Sequence, residues 1–317
     1  MKYKGRGVKI TKFSSYLPSR TVSNMELSKK NKQHPEWAFD NLGIKSRHIS
    51  APNELASDMA AACIKNMFQN KSDTLLSSVD LLILATSSPD QQAPSTATIT
   101  LSKLEANGIP SFDIAAVCSG FVVGLITGAQ YIKSGMYDCV LVVGADCFSK
   151  STDWNRKDSV FFGDGAGAVL LEASWDEASV FESSMLSDVT GVAHFEIPKN
   201  SSFFEMDGKQ VFKSASSLVP SAIERVLKNA GLHPSDIDIV IPHQPSIKLL
   251  QSIAISAGIP FSKFHTNMES VANTVSGTVP IALCDATAKE KINSGDTVLF
   301  LSAGAGMIAA AAVMTWA

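Results

Sequence analysis

Residues 115–135 read AAVCSGFVVGLITGAQYIKSG, and no charged side chain falls between Asp113 and Lys133. Ser119-Gly120 opens the run, Ser134-Gly135 closes it, and the all-apolar Val140-Leu-Val-Val follows. A stretch of this length that is apolar nearly all round predicts a helix buried in the middle of the molecule, followed by a strand buried on both faces. The same pattern recurs. Ser276-Gly277 opens a second run ending at Ser294-Gly295, and Val298-Leu-Phe-Leu follows it. Upstream, Asp80-Leu-Leu-Ile is echoed by Asp238-Ile-Val-Ile, 158 residues later. Matches in one order at one offset, close to half the chain, imply two copies of a single strand–helix–strand unit. The expected architecture is α/β, duplicated and layered α/β/α/β/α, with the Ser119 helix and its echo between two sheets.

The chain has 317 residues, 45% of them apolar and only 18% charged, which leaves room for a large core and suggests a subunit interface. A net charge of −3 gives no global signature of nucleic-acid or membrane-surface binding. Five cysteines, an odd number spread over a long chain, fit a reducing, cytoplasmic setting better than a disulfide framework. The N-terminus MKYKGRGVKI lacks an apolar stretch of signal-peptide length. Residues 298–317 are uncharged and long enough to span a bilayer, but Ser302-Ala-Gly-Ala-Gly306 divides them. Two buried strands around a tight turn are expected there.

Three residues carry candidate chemistry. Cys118 lies where a buried strand meets the first apolar helix, and a thiol at a helix N-terminus is expected to be shifted toward the nucleophilic thiolate. His243, in Ile239-Val-Ile-Pro-His243-Gln-Pro-Ser, directly follows a buried strand, where α/β proteins place reactive groups. Asn273 precedes the second helix, near the place Cys118 holds in the first copy. If the two helices start facing one another, a nucleophile, a base or donor, and a second donor converge. The remaining histidines, at 34, 48, 194, 233 and 265, sit in polar or loop surroundings, and Cys63, Cys139, Cys147 and Cys284 read as small buried hydrophobes. Gly163-Asp-Gly165-Ala-Gly167-Ala168 nominally fits a dinucleotide fingerprint, but the strand-like Val169-Leu-Leu after it makes these strand-opening glycines. No metal-ligand spacing and no phosphate-cradling loop is present.

On these motifs the chain resembles the β-ketoacyl-acyl-carrier-protein synthase III family of the thiolase superfamily. The resemblance runs from Tyr16-Leu-Pro, Ser23-Asn24, Trp37, Gly43-Ile44 and Arg47 through Ala115-Ala-Val-Cys118-Ser-Gly-Phe121 and Phe162-Gly-Asp-Gly-Ala-Gly167-Ala. It continues through Met206-Asp-Gly208, Val211-Phe212-Lys213, His243-Gln244, Asn273-Thr274 and Val279-Pro280 to Gly304 and Gly306. It implies a duplicated five-layer thiolase-like fold, with residues 1–172 carrying the nucleophile and 173–317 the histidine and asparagine. It implies that Cys118 accepts an acyl group from acyl-CoA. Malonyl-acyl-carrier protein then loses CO₂ and attacks the acyl-cysteine, with His243 and Asn273 donating hydrogen bonds to the developing charge. An oxyanion hole of the Cys118 and Gly306 N–H groups is implied, glycine at 306 permitting close approach. Trp37 and Arg156 are implied to sandwich the CoA adenine, Phe212 to touch substrate, Lys248 to contact phosphate and Lys213 to meet the carrier protein. A homodimer with no resident cofactor or metal, no nucleic acid and no membrane is expected.

The chain departs from the family pattern at Asn41, where an arginine is common, at Ser246, where an asparagine is usual, and at Ala93, where a bulky residue often stands. A paralogue in a specialised metabolite pathway, or an acyltransferase passing the group to a hydroxyl or amine without loss of CO₂, is the alternative reading. A non-catalytic partner subunit has no physical need for all three of Cys118, His243 and Asn273. A degradative thiolase would need a second cysteine near the C-terminal glycines, and none follows Cys284.

Overall fold

In the computed structural model of the chain, the described residues are 6–68, 76, 78–176 and 180–317. The first sheet holds β1 (Gly7–Tyr16), β4 (Leu81–Ala85), β5 (Ser111–Ile114), β6 (Cys139–Asp146) and β7 (Gly165–Ser174), in the order β1-β7-β6-β4-β5. The second holds β8 (Phe181–Ser187), β11 (Ile239–Pro242), β12 (Thr297–Gly304) and β13 (Ile308–Thr315), in the order β11-β12-β13-β8. Two short ribbons, β2 (Arg20–Ser23) with β3 (Ser46–Ile49) and β9 (Phe195–Glu196) with β10 (Glu205–Met206), lie outside the sheets.

The first central helix, Gly120–Lys133, and the second, Thr278–Ala288, separate the two sheets. Helices Ala56–Met67 and Thr96–Lys103 cover the outer face of the first sheet, and Gly208–Ala230 and Ile247–Ala257 that of the second. Strand alternation sorts side chains between layers. Leu81 and Ile83 enter the central core while Leu82 and Leu84 enter the outer one, and Val140/Val142 and Leu141/Val143 divide the same way. The expected five layers are therefore present.

The duplication is exact in register over its core. β4 and β11, the two central helices, and β6 and β12 each begin 158 residues apart. It weakens at the sheet edge, where among the described residues β5 is answered only by a single parallel bridge, Val240 with Phe264. The sheets divide between Ser174 and Phe181, so the expected boundary at 172/173 cuts β7 two residues before its end. One core draws on both halves, from Val8 to Leu171 and from Phe181 to Trp316. The uncharged C-terminal stretch forms β12 and β13, antiparallel from Thr297↔Thr315 to Gly304↔Ile308. Among the described residues no helix is long and apolar enough to cross a membrane.

Glycines let the sheets and central helices approach. A Cβ on Gly144 would stand 2.2 Å from the Ser276 carbonyl oxygen, and one on Gly167 would stand 2.7 Å from Pro280. The Gly163–Ala168 motif thus opens β7 and clears space for the second helix.

Candidate active site

Each copy approaches its central helix through a short 3₁₀ turn, Val117–Ser119 in the first and Val275–Gly277 in the second. Val117 and Val275 both have positive φ, 46° and 53°, a conformation that costs a β-branched residue energy and that the surrounding packing must enforce. The first turn places Cys118 in the lining of a cavity of about 1090 Å³. His243, just beyond β11, and Asn273, just before the second turn, line the same cavity. The three candidate residues therefore meet.

Asn273 is held by its oxygen. Oδ1 accepts the Val275 N–H at 2.9 Å, the Thr278 hydroxyl at 3.2 Å and His243 Nε2 at 3.1 Å. A backbone N–H can only donate, so the amide orientation is assigned, and the histidine proton is placed on Nε2. Nδ2 is left to face the nucleophile, and the Asn273 amide does hydrogen-bond Cys118. Burial holds the His243 imidazole down to about 4, against its hydrogen bond with Asn273, so the ring is neutral at physiological pH. Gln244 stiffens the neighbouring chain. Its Oε1 accepts the N–H groups of Asn267 at 2.9 Å and Met268 at 3.0 Å, ahead of Asn273.

Cys118 differs from expectation in its charge state. Burial pushes the thiol up to about 12, the Asp146 charge adds to this, and hydrogen bonds from Asn273 and from the Cys118 N–H oppose it. Desolvation in an apolar wall of Phe148, Phe162, Phe204 and Val275 outweighs the helix N-terminus.

At the glycine turn, Gly304 makes the close approach that the sequence assigned to Gly306. A Cβ on Gly304 would lie 2.7 Å from the Ala116 carbonyl oxygen and 3.0 Å from the Ser119 nitrogen. Gly306 has open space around its Cβ position, and its need for glycine lies in a φ of 121°. Ala303, Gly304, Ala305 and Met307 line the cavity, and Gly306 is not among the lining residues.

Trp37, Phe212 and Lys248 line the outer cavity. Arg156 does not. Its guanidinium donates to the Phe204 carbonyl at 2.6 Å, pairs with Asp158 at 2.5 Å and lies over the Phe204 ring, so it does not stand free to stack with Trp37. Lys213 is exposed on the Gly208–Ala230 helix, outside the cavity. The departures find local roles. Asn41 accepts from Lys248 at 2.7 Å, and Ser246 caps the Ile247–Ala257 helix by accepting the Leu249 N–H at 3.2 Å. Ala93 is exposed. His265 is buried and paired with Asp285 at 2.7 Å, apart from the cavity lining. Sequence reasoning missed Asp146, whose signal was a lone charge at the end of the apolar β6 run.

A duplicated α/β/α/β/α body with cysteine, histidine and asparagine gathered where its copies meet defines the class, a thiolase-like enzyme. Residues 112–189 match the family model described as 3-oxoacyl-[acyl-carrier-protein (ACP)] synthase III, and residues 227–316 match the model of its C-terminal part. The chain is 38% identical over 308 residues to the beta-ketoacyl-[acyl-carrier-protein] synthase III of Neisseria gonorrhoeae (strain ATCC 700825 / FA 1090), covering 94% of this chain and 96% of that one. It is 34% identical over 323 residues to the protein of that name from Clostridium acetobutylicum, covering 98% of both. The crystal structure of 3-oxoacyl-[acyl-carrier-protein] synthase III from Aquifex aeolicus VF5 superposes with a TM-score of 0.93 at 33% identity, covering 98% of this chain and all of that one. The priming β-ketosynthase of the R1128 polyketide pathway gives 0.92 at 27% identity, covering 100% of this chain and 98% of that one. The chain belongs to the β-ketoacyl-acyl-carrier-protein synthase III family.

Proposed function

We propose that the protein joins an acyl group to malonyl-acyl-carrier protein by decarboxylative Claisen condensation, giving 3-oxoacyl-acyl-carrier protein and CO₂. One observation carries the reading: two hydrogen-bond donors that do not readily lose a proton, His243 Nε2–H and Asn273 Nδ2–H, line one cavity together with the buried Cys118 thiol. In the first half-reaction the Cys118 sulfur attacks the carbonyl of acyl-CoA. The C–S bond to CoA breaks, and the thiol proton leaves with the CoA sulfur. In the second, the malonyl C–C bond breaks, CO₂ departs, and its electron pair builds an enolate whose oxygen receives both hydrogen bonds once His243 Nε2–H turns to it from Asn273 Oδ1. A neutral imidazole stabilises this charge without quenching the carbanion, as a cation would by giving up its proton. The carbanion then attacks the acyl-cysteine carbonyl and Cys118 leaves as thiolate, taking up the one proton that the overall reaction draws from solvent.

The backbone N–H of Cys118 would receive the tetrahedral oxyanion of each acyl step, and Gly306, outside the cavity lining, would share it only by turning its N–H inward. Trp37, Phe212 and Lys248 suit the pantetheine and phosphate end of the donor, and Lys213 suits an acidic carrier protein outside the mouth. Arg156 would stack on adenine only after releasing Asp158. A homodimer is supported by the low charge content and by the exposed apolar Val189 and Val192. A cytoplasmic setting is supported by five unpaired cysteines.

The test is a mass balance with acyl-CoA and malonyl-acyl-carrier protein. One CO₂ should appear per product, through an acyl adduct on Cys118. Acyl transfer to a hydroxyl or amine acceptor without malonyl consumption would replace this reading with simple acyl transfer.

A further inference from the structure

The turn of the second copy forms, with strand ends of the first, a counterpart of the catalytic corner whose residues are exchanged in a consistent way. The offset of 158 residues that relates β4 to β11 and β6 to β12 also relates Cys118 to Ser276, His243 to Ala85 and Gly304 to Asp146. The two corners share their backbone. Both turns start at a positive-φ valine, and both strand ends press on the opposite turn. Gly304 lies against Ala116 and Ser119, and Asp146 against Ser276. In the first copy the turn residue faces the cavity with no side chain from residue 304 to hold it. In the second, Asp146 closes on the turn residue.

Asp146 is fully buried and reaches across the two copies. Oδ1 accepts the Ser87 N–H at 2.7 Å, the Ser88 hydroxyl at 2.9 Å and the Thr86 hydroxyl at 3.2 Å, all at the end of β4. Oδ2 accepts the Ser276 N–H at 3.0 Å and makes a short contact with the Ser276 hydroxyl, which also reaches the Ala85 carbonyl oxygen at 2.8 Å. Ser276 shares its 3₁₀ turn with Val275, whose N–H holds Asn273 Oδ1.

We infer that Asp146 is a positioning residue. From the first copy it locks the Ser276 turn of the second, so that the Asn273 amide stays aimed at the enolate. The inference rests on the condensation reading for its catalytic readout, and has a second readout that does not.

The experiment compares wild type, Asp146→Asn and Ser276→Ala in three measurements: CO₂ release from malonyl-acyl-carrier protein, single-turnover acyl loading by intact mass, and hydrogen exchange of the peptide that holds Val275 and Ser276. Both variants should lose CO₂ release by about tenfold to a hundredfold, the scale of a misplaced reacting group, with loading largely kept. Exchange at the turn should quicken in both, because the group that ties it down is weakened or gone. Unchanged exchange at the turn, or equal loss of loading and CO₂ release in both variants, would overturn the inference. Should Asp146→Asn not fold, Ser276→Ala, which removes a single hydroxyl, decides it on CO₂ release against loading. A wild type that releases no CO₂ would defeat the condensation reading, and the exchange rates would still decide whether Asp146 holds the turn.

Discussion

Asn273→Asp is the substitution that separates the chemistry of this site from its architecture. The isosteric carboxylate keeps an oxygen where Oδ1 accepts from Val275, Thr278 and His243, and so retains those three hydrogen bonds. It replaces the Nδ2 donor with an anionic acceptor aimed at the place where the enolate oxygen forms. Loss of one oxyanion donor costs about 10²–10³ in rate, and a negative charge in its place adds repulsion to that loss. Asn273→Ala removes donor and acceptor together and leaves the buried Val275 N–H without its partner, a stability cost of about 1–3 kcal/mol. The two variants should therefore separate. The aspartate variant should fold, its three retained hydrogen bonds offsetting part of the cost of burying a carboxylate, and lose at least two orders of magnitude in CO₂ release. The alanine variant should show a similar catalytic loss together with a lower unfolding midpoint. The assay is CO₂ release from malonyl-acyl-carrier protein alongside denaturant unfolding. An aspartate variant that decarboxylates within a few-fold of wild type would refute the role assigned to the Asn273 amide.

The pH dependence follows from His243, held near 4 against an ordinary value of 6.5. CO₂ release should show no inflection near pH 6.5. An unfolded chain binds a proton there that the native state refuses, so stability should fall as pH drops from about 6.5 to about 4, a slope that His243→Gln should reduce in unfolding titrations, while His265, also held down by burial, keeps part of it. Incubation with a suitable acyl-CoA should add one acyl mass to the Cys118 peptide, and an undiminished adduct in Cys118→Ala would exclude this nucleophile. Gly304→Ala should press the Ala116–Ser119 turn away and depress acyl loading more than Gly306→Ala, since only residue 304 lacks room for a Cβ. Sedimentation should give a dimer burying roughly 2,000 Å² or more, and a monomer at micromolar concentration would count against it.

The fold was legible because burial on both faces leaves long uncharged runs, and the duplication printed them twice at one spacing. Cys118, His243 and Asn273 were legible for a related reason, as they sit where those runs break. Asp146 was not. A single carboxylate at a strand end looks like any solvated terminus until the structure shows five donors converging on it from two distant segments. Arg156 misled for the opposite reason, because a cation placed by motif alone says nothing about Asp158 two residues away, which claims it first. The glycine turn shows the same limit. Sequence supplied both Gly304 and Gly306, but which one answers to crowding and which to a positive φ is a property of packed coordinates.

The charge state of Cys118 shows where local reasoning gives way to the environment. A helix N-terminus does favour a thiolate, but its influence is worth at most a few kcal/mol even in favourable partly buried geometry. Removing a charge from water competes with that directly, and here it wins, with the thiol near 12 and the imidazole near 4. Both shifts disfavour a standing thiolate–imidazolium pair in the cavity. The nucleophile is therefore kept as a thiol, and the helix terminus is left free to meet charge on the substrate carbonyl rather than on sulfur. The neutral imidazole, which an ion pair would have turned into a proton donor, remains suited to holding an enolate. The apolar burial that suppresses the ground-state thiolate thus preserves the donor chemistry of the second half-reaction.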